Sequence, residues 1–137
     1  MKQLLVASFL VVTSSLFAQT VAPINPVIGD ASFVAKYGTQ PVLGDNETDR
    51  IKTHLEYVEE QLRATDVSAF TAEQQAKRTG ILDHLQTYWQ REQFPINTAY
   101  PNERKPCFID ENGTICAVGY LIEKTAGLAT AEEINAQ

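Results

Sequence analysis

Cysteine is scarce in this chain of 137 residues, which has two, Cys107 and Cys116. That rules out a disulfide-dense scaffold and a zinc site built from cysteine alone. Basic residues are in the minority, 11 Lys+Arg against 17 Asp+Glu, for a formal net charge of −6. A nucleic-acid binder needs a basic face to neutralise phosphates, so that class is set aside. Also missing are a Gly-x-Ser-x-Gly elbow, a His-Glu-x-x-His pair and a glycine-rich phosphate loop, the motifs of serine hydrolases, zinc proteases and nucleotide binders. No cofactor is called for. What remains is 44% hydrophobic residues, too apolar for a disordered chain and enough for one globular core.

The one extended apolar run is at the start. Lys2 precedes Leu4 to Val12, broken only by Ser8, and Thr13-Ser14-Ser15 and Leu16-Phe17-Ala18 follow. A short apolar stretch behind one cation and ending on a small residue reads as a secretory signal peptide, cut at Ala18|Gln19. A membrane anchor would need about 20 apolar residues, and Thr13 interrupts the run too soon, so no transmembrane anchor is expected after cleavage. Loss of Lys2 moves the charge to −7. An exported chain reaches the periplasm, cell surface or extracellular space, where conditions are oxidising.

The sequence divides into a signal peptide at 1–18, an extended leader at 19–46 and one small globular domain at 47–137. Pro23, Pro26 and Pro41 with Gly29, Gly38 and Gly44 punctuate the leader, leaving room for a short helical piece over Asp30 to Tyr37. Ile51, Leu55, Val58 and Leu62 then recur at helical spacing behind Asn46 or Thr48 as cap. Thr71 with Gln74 forms a capping box after Phe70. The stripe Ile81, Leu82, Leu85, Tyr88 and Trp89 carries that second helix toward Pro95, which ends it. Burying four such side chains on the first helix contributes about 6–12 kcal/mol gross. Ordering its backbone costs about 15–30 kcal/mol, so the two helices are expected to pair as an antiparallel hairpin.

Ile96 to Pro106 reads as a loop. Beyond it, Cys107-Phe108-Ile109-Asp110 and Thr114-Ile115-Cys116 flank Glu111-Asn112-Gly113. Asn-Gly between β-prone runs is the strongest short hairpin signal, because both residues tolerate positive φ. Cys107 and Cys116 fall on opposite arms, so a disulfide between them is expected, closing a short loop worth about 2–3 kcal/mol. Ala117 to Ile122 turns helical and ends near Gly127, and Thr130 with Glu133 opens a last helix. That pattern runs to Gln137 without a cap, which reads as a chain cut from a longer one.

Several of these blocks together resemble an uncharacterised family of small secreted bacterial proteins, frequent in Bacteroidota. They are Phe17-Ala18-Gln19, Tyr88-Trp89 with Phe94-Pro95, Pro106-Cys107-Phe108-Ile109-Asp110, and Gly113-Thr114-Ile115-Cys116-Ala117-Val118-Gly119-Tyr120-Leu121-Ile122. The resemblance spans roughly residues 50 to 137, and the two-cysteine block is its specific part. It implies an exported fold that continues past Gln137, and no mechanism.

Candidate chemistry is thin. His54, His84, Asp110 and Asn112 are the weak metal candidates. The histidines lie on separate helices without a short ligand spacing, and the place where a calcium loop counted from Asp110 needs its closing glutamate is Leu121. Tyr88, Trp89 and Tyr100 form an aromatic concentration that could stack on a ligand, although their spacing suits core packing better. Glu56, Glu59 and Glu60 read as a solvated face. The sequence therefore points to a mostly α fold with a small β-hairpin (α+β), a helical hairpin packed on a disulfide-linked β-hairpin and C-terminal helices. Its function reads as an exported, non-catalytic structural or binding module for a protein or envelope component. The competing classes are a small hydrolase-like enzyme using histidine and carboxylates, and a metal-binding protein.

Overall fold

The computed structural model describes residues 21–101 and 103–137; the segment read as a signal peptide lies outside them. Five helices follow in order: α1 (Ala31–Tyr37), α2 (Glu47–Ala64), α3 (Ala72–Gln90), α4 (Ala117–Ala126) and α5 (Leu128–Asn135). Each packs on the next, α1 on α2, α2 on α3, α3 on α4 and α4 on α5. The expected helical hairpin is α2 with α3.

The starts of both long helices follow from their capping residues. The Asn46 side chain accepts the Asp49 N–H at 3.2 Å. Thr71 and Gln74 close the reciprocal capping box, Thr71 Oγ1 accepting from the Gln74 N–H and Gln74 Oε1 from the Thr71 N–H. These satisfy donors that the first turn of a helix leaves open. At the other end α3 closes at Gln90, five residues before Pro95, where Glu92 takes a positive φ of 54°.

Two linked apolar clusters form the core. One joins Tyr88, Ile115, Tyr120 and Ala131, and the other Leu82, Leu85 and Trp89; Leu55, Phe94 and Ala117 pack against both. The α3 stripe is therefore centred on Leu82, Leu85 and Trp89, with Ile81 on the exposed side of the helix. On α2 the buried residues are Arg50, Thr53 and Glu59. That polar face is covered because the 21–37 segment lies against one side of α2 while α3 takes the other.

Arg50 fixes that segment. Its guanidinium, 2% exposed, pairs with Asp30 at 2.8 Å and donates to the Ala22 carbonyl at 2.9 Å and to Glu47 at 3.1 Å. Asp30 sits at the cap position of α1 yet makes no cap bond, because its carboxylate is committed to Arg50 and to the Ile24 N–H. The proline-rich leader is thereby held as a strap across α2.

The β-hairpin is not formed. Among the described residues there is no strand, and the 107–116 segment keeps one antiparallel bridge, Ile109 to Ile115. The turn itself is present, with the Gly113 N–H bonded to the Asp110 carbonyl and Gly113 at φ 78°. What cuts the ladder short is its surroundings. The register that pairs Ile109 with Ile115 and Phe108 with Cys116 would next pair Cys107 with Ala117, but Ala117 is already the first residue of α4. Pro106, on the other arm, has no N–H to offer. The fold is all-helical rather than α+β.

The expected disulfide fails for a related reason: Cys107 and Cys116 are free thiols. Cys116 is the cap of α4, its Sγ accepting the Gly119 N–H at 3.4 Å. Its side chain is therefore turned onto the helix end, while its register partner is Phe108 and not Cys107. The last helix also differs in its start. Gly127, at φ 95°, both closes α4 and opens α5, so Thr130 lies inside α5 and its hydroxyl donates back to the Ala126 carbonyl.

Candidate functional site

The strap, the helical hairpin and the 94–118 segment enclose one large cleft of about 1190 Å³. Small-molecule sites commonly span roughly 300–1,000 Å³, so it is ample, and its volume includes an open mouth. Its walls are apolar: Pro23 and Ile24 from the strap, Ile51 and Leu55 from α2, and Phe94, Pro106 and Phe108 from the loop. Val118 of α4, 62% exposed, stands at the edge. Each wall has a local cause. The strap lies where Arg50 draws Ala22 and Asp30 onto α2. The far wall is shaped by Asp110, whose carboxylate accepts the N–H groups of Ile96, Asn112 and Thr114 at 3.1, 2.9 and 2.8 Å.

Asp110 is therefore a structural brace. Burial raises its pKa, but the N–H groups of Ile96, Thr114 and Asn112 outweigh that and hold the carboxyl below the usual range. With its oxygens engaged by backbone, it has little left for a cation. The described residues contain no group of three or more His, Cys, Asp or Glu side chains arranged to hold a metal, and Asn112 is exposed at the turn tip.

The two histidines do not share the cleft. His54 lines the cleft and His84 does not. Burial lowers the His54 pKa, Arg104 adds to the effect and Asp30 opposes it. Asn25 Nδ2 lies 3.4 Å from Nε2 and Ser32 Oγ 3.5 Å from Nδ1. An amide nitrogen only donates, so Nε2 is the acceptor and the ring proton sits on Nδ1. The neutral ring thus accepts from Asn25 through Nε2 and donates through Nδ1 to the Ser32 hydroxyl oxygen.

The aromatic candidates divide in the same way. Tyr88, 1% exposed, donates its hydroxyl to the Ile115 carbonyl at 2.9 Å, and burial pushes its phenol well above the usual value. Trp89 is buried, and its Nε1–H donates to Glu59 at 2.5 Å. Neither offers a free face, and Tyr100, 45% exposed, has the Lys105 ammonium over its ring, 3.6 Å from the centroid. Glu59 also departs from the solvated-face reading. It is 4% exposed and receives Arg63 Nε at 2.7 Å as well as the indole.

Both thiols line the cleft. Burial, then Asp110, then Cys116 push the Cys107 thiol up, away from the thiolate form a nucleophile needs. The residues that give the cleft its polar end are ones the sequence reading passed over as loop: Glu103, Arg104 and Lys105. Arg104 pairs with Glu47, and Lys105 with Glu103 at 3.2 Å. The only sequence signal for this site was the density of proline beside apolar residues on both flanks, which stiffens walls without saying which walls meet. No family model, no curated protein and no solved structure matches the chain.

Proposed function

We propose that this protein is an exported, non-catalytic binding module whose cleft takes an elongated apolar ligand. The single observation that carries this is the cleft, an apolar volume of about 1190 Å³ bounded by the strap, α2, the 94–108 loop and the start of α4. A cavity with rigid proline-bearing walls and few polar groups suits burial of hydrocarbon, at roughly 25 cal/mol per Å² removed from water. Export rests on the Lys2 to Ala18 pattern. A hydrolytic reading finds less support. The cleft gathers one histidine and one carboxylate, Glu103, which is engaged with Lys105, and His84 lies outside it.

The test is saturable uptake of a neutral apolar fluorophore, N-phenyl-1-naphthylamine, by the purified chain. One site per molecule is expected. Ile24→Glu places a charge on the strap wall and Val118→Glu one at the α4 edge, both at positions that are not buried. Ile24→Glu should weaken uptake at least about tenfold, the cost of desolvating a carboxylate against hydrocarbon, and Val118→Glu, at the exposed edge, should weaken it less. Uptake that neither variant changes would place the probe elsewhere and remove the reading.

A further inference from the structure

The cleft is not apolar throughout, and its polar groups lie together. In a chain with a net charge of −6, its lining carries two cations, Arg104 and Lys105, against one carboxylate, Glu103. Lys105 is paired with Glu103 and rests on Tyr100, so those two charges largely cancel. Arg104 is different. Its partner, Glu47, is outside the cleft lining, half exposed, and shared with the buried Arg50. Arg104 and His54 both line the cleft, which puts a guanidinium and a neutral imidazole in a space whose other walls are largely apolar.

Resting on the binding reading above, we infer that the cleft's ligand is a single-chain amphiphile with a carboxylate head, held by Arg104 with its hydrocarbon tail along Ile24, Leu55, Phe94 and Phe108. The structure already displays the group that fits: Arg104 grips a carboxylate, that of Glu47. Glu47 keeps Arg50 as a partner when it is displaced, so the exchange strands no charge. Arg50 in turn keeps Asp30 and the Ala22 carbonyl, and the strap stays in place. A ligand carboxylate enters with its tail buried, whereas Glu47 reaches Arg104 through solvent-exposed atoms. Charge-assisted bonds gain strength as water is excluded.

The experiment is displacement of N-phenyl-1-naphthylamine from the full chain by decanoate, decanol and decyltrimethylammonium, all as monomers at neutral pH. Decanoate should displace the probe at about tenfold lower concentration than decanol, the worth of one hydrogen bond to a charged group, and the ammonium should be weakest. Arg104→Gln should abolish the advantage of decanoate and leave decanol unchanged. Glu47→Gln, which frees Arg104 from its competitor, should increase it. Equal displacement by decanoate and decanol, or equal weakening of both by Arg104→Gln, would overturn the carboxylate assignment and leave the apolar cleft intact. Failure of the probe itself to bind would instead remove the cleft reading on which the inference stands.

Discussion

Single residues in this protein carry obligations that their type alone does not announce. Tyr88 fills the core and is also, among the described residues, the only hydrogen-bond donor to the Ile115 carbonyl. Tyr88→Phe keeps the volume and strands that carbonyl, so it should cost about 1–3 kcal/mol, read as a lower urea midpoint with unchanged slope. Gly119 has a different obligation. A Cβ there would stand 2.6 Å from Ile115 Cγ1 and 3.1 Å from Phe108 Cζ. Gly119→Ala should therefore destabilise by about 1–3 kcal/mol through overpacking, although alanine is the better helix former by about 1 kcal/mol; thermal melts decide the sign. Arg50 is the most exacting. Removing one member of a buried ion pair costs about 3–5 kcal/mol, and Arg50→Met should lower stability by that order while freeing the strap, seen as faster hydrogen exchange over residues 22–37.

At the scale of elements, what the sequence shows well is where helices begin. Asn46 and Thr71 with Gln74 are local signals, because a cap is a contract between residues three apart, whereas the last helix starts at Leu128 and not at the expected Thr130. The β-hairpin was misread at this same scale. Its turn chemistry is correct, and Gly113 takes the left-handed conformation that Asn-Gly promises. A ladder, however, needs room on both arms, and α4 begins one residue after Cys116. The helix claims Cys116 as its cap and leaves Cys107 unbridged. Alkylation under denaturing conditions without reductant should therefore add two labels per chain by intact mass; a mass showing none would restore the bridge. Asp110 is the element's hidden centre, since its carboxylate gathers three N–H groups from both sides of the turn. An aspartate before Glu-Asn-Gly looks like an ordinary turn residue, and its reach to Ile96, 14 positions away, is not a local property.

For the molecule as a whole, the strap joins stability to pH. His54 is packed between α2 and the strap, facing Asn25 and Ser32, with Asp30 and Arg104 as the charges that act on it. Its pKa is lowered in the folded state, so below the ordinary value of 6.5 the unfolded chain takes up a proton that the folded chain resists. Its contribution is present above that value and is lost as pH falls through the window beneath it. The Asp110 carboxyl, held low in the fold, adds loss in the same direction at more acid pH. The urea midpoint should thus be lower at about pH 5.5 than at about pH 7.5, and His54→Gln should flatten that difference. An unchanged slope in the variant would place the acid sensitivity elsewhere.

The chain by itself determined the starts of α2 and α3 and their pairing, because each depends on residues close in sequence or on a repeat that one helix displays in full. The Leu82, Leu85 and Trp89 stripe could be read as core for the same reason. Only the tertiary structure decided that Arg50, Thr53 and Glu59 would be buried on α2, since nothing local says that a leader will fold back onto Arg50 or that Trp89 of α3 will reach Glu59. Only the tertiary structure, too, brought Ile24, His54, Arg104 and Phe108 to one cleft. Their separations along the chain are set by intervening turns, and no residue pattern encodes the sum of those turns. The cleft is a property of the packing, and the ligand it implies follows from which side chains the packing left facing inward.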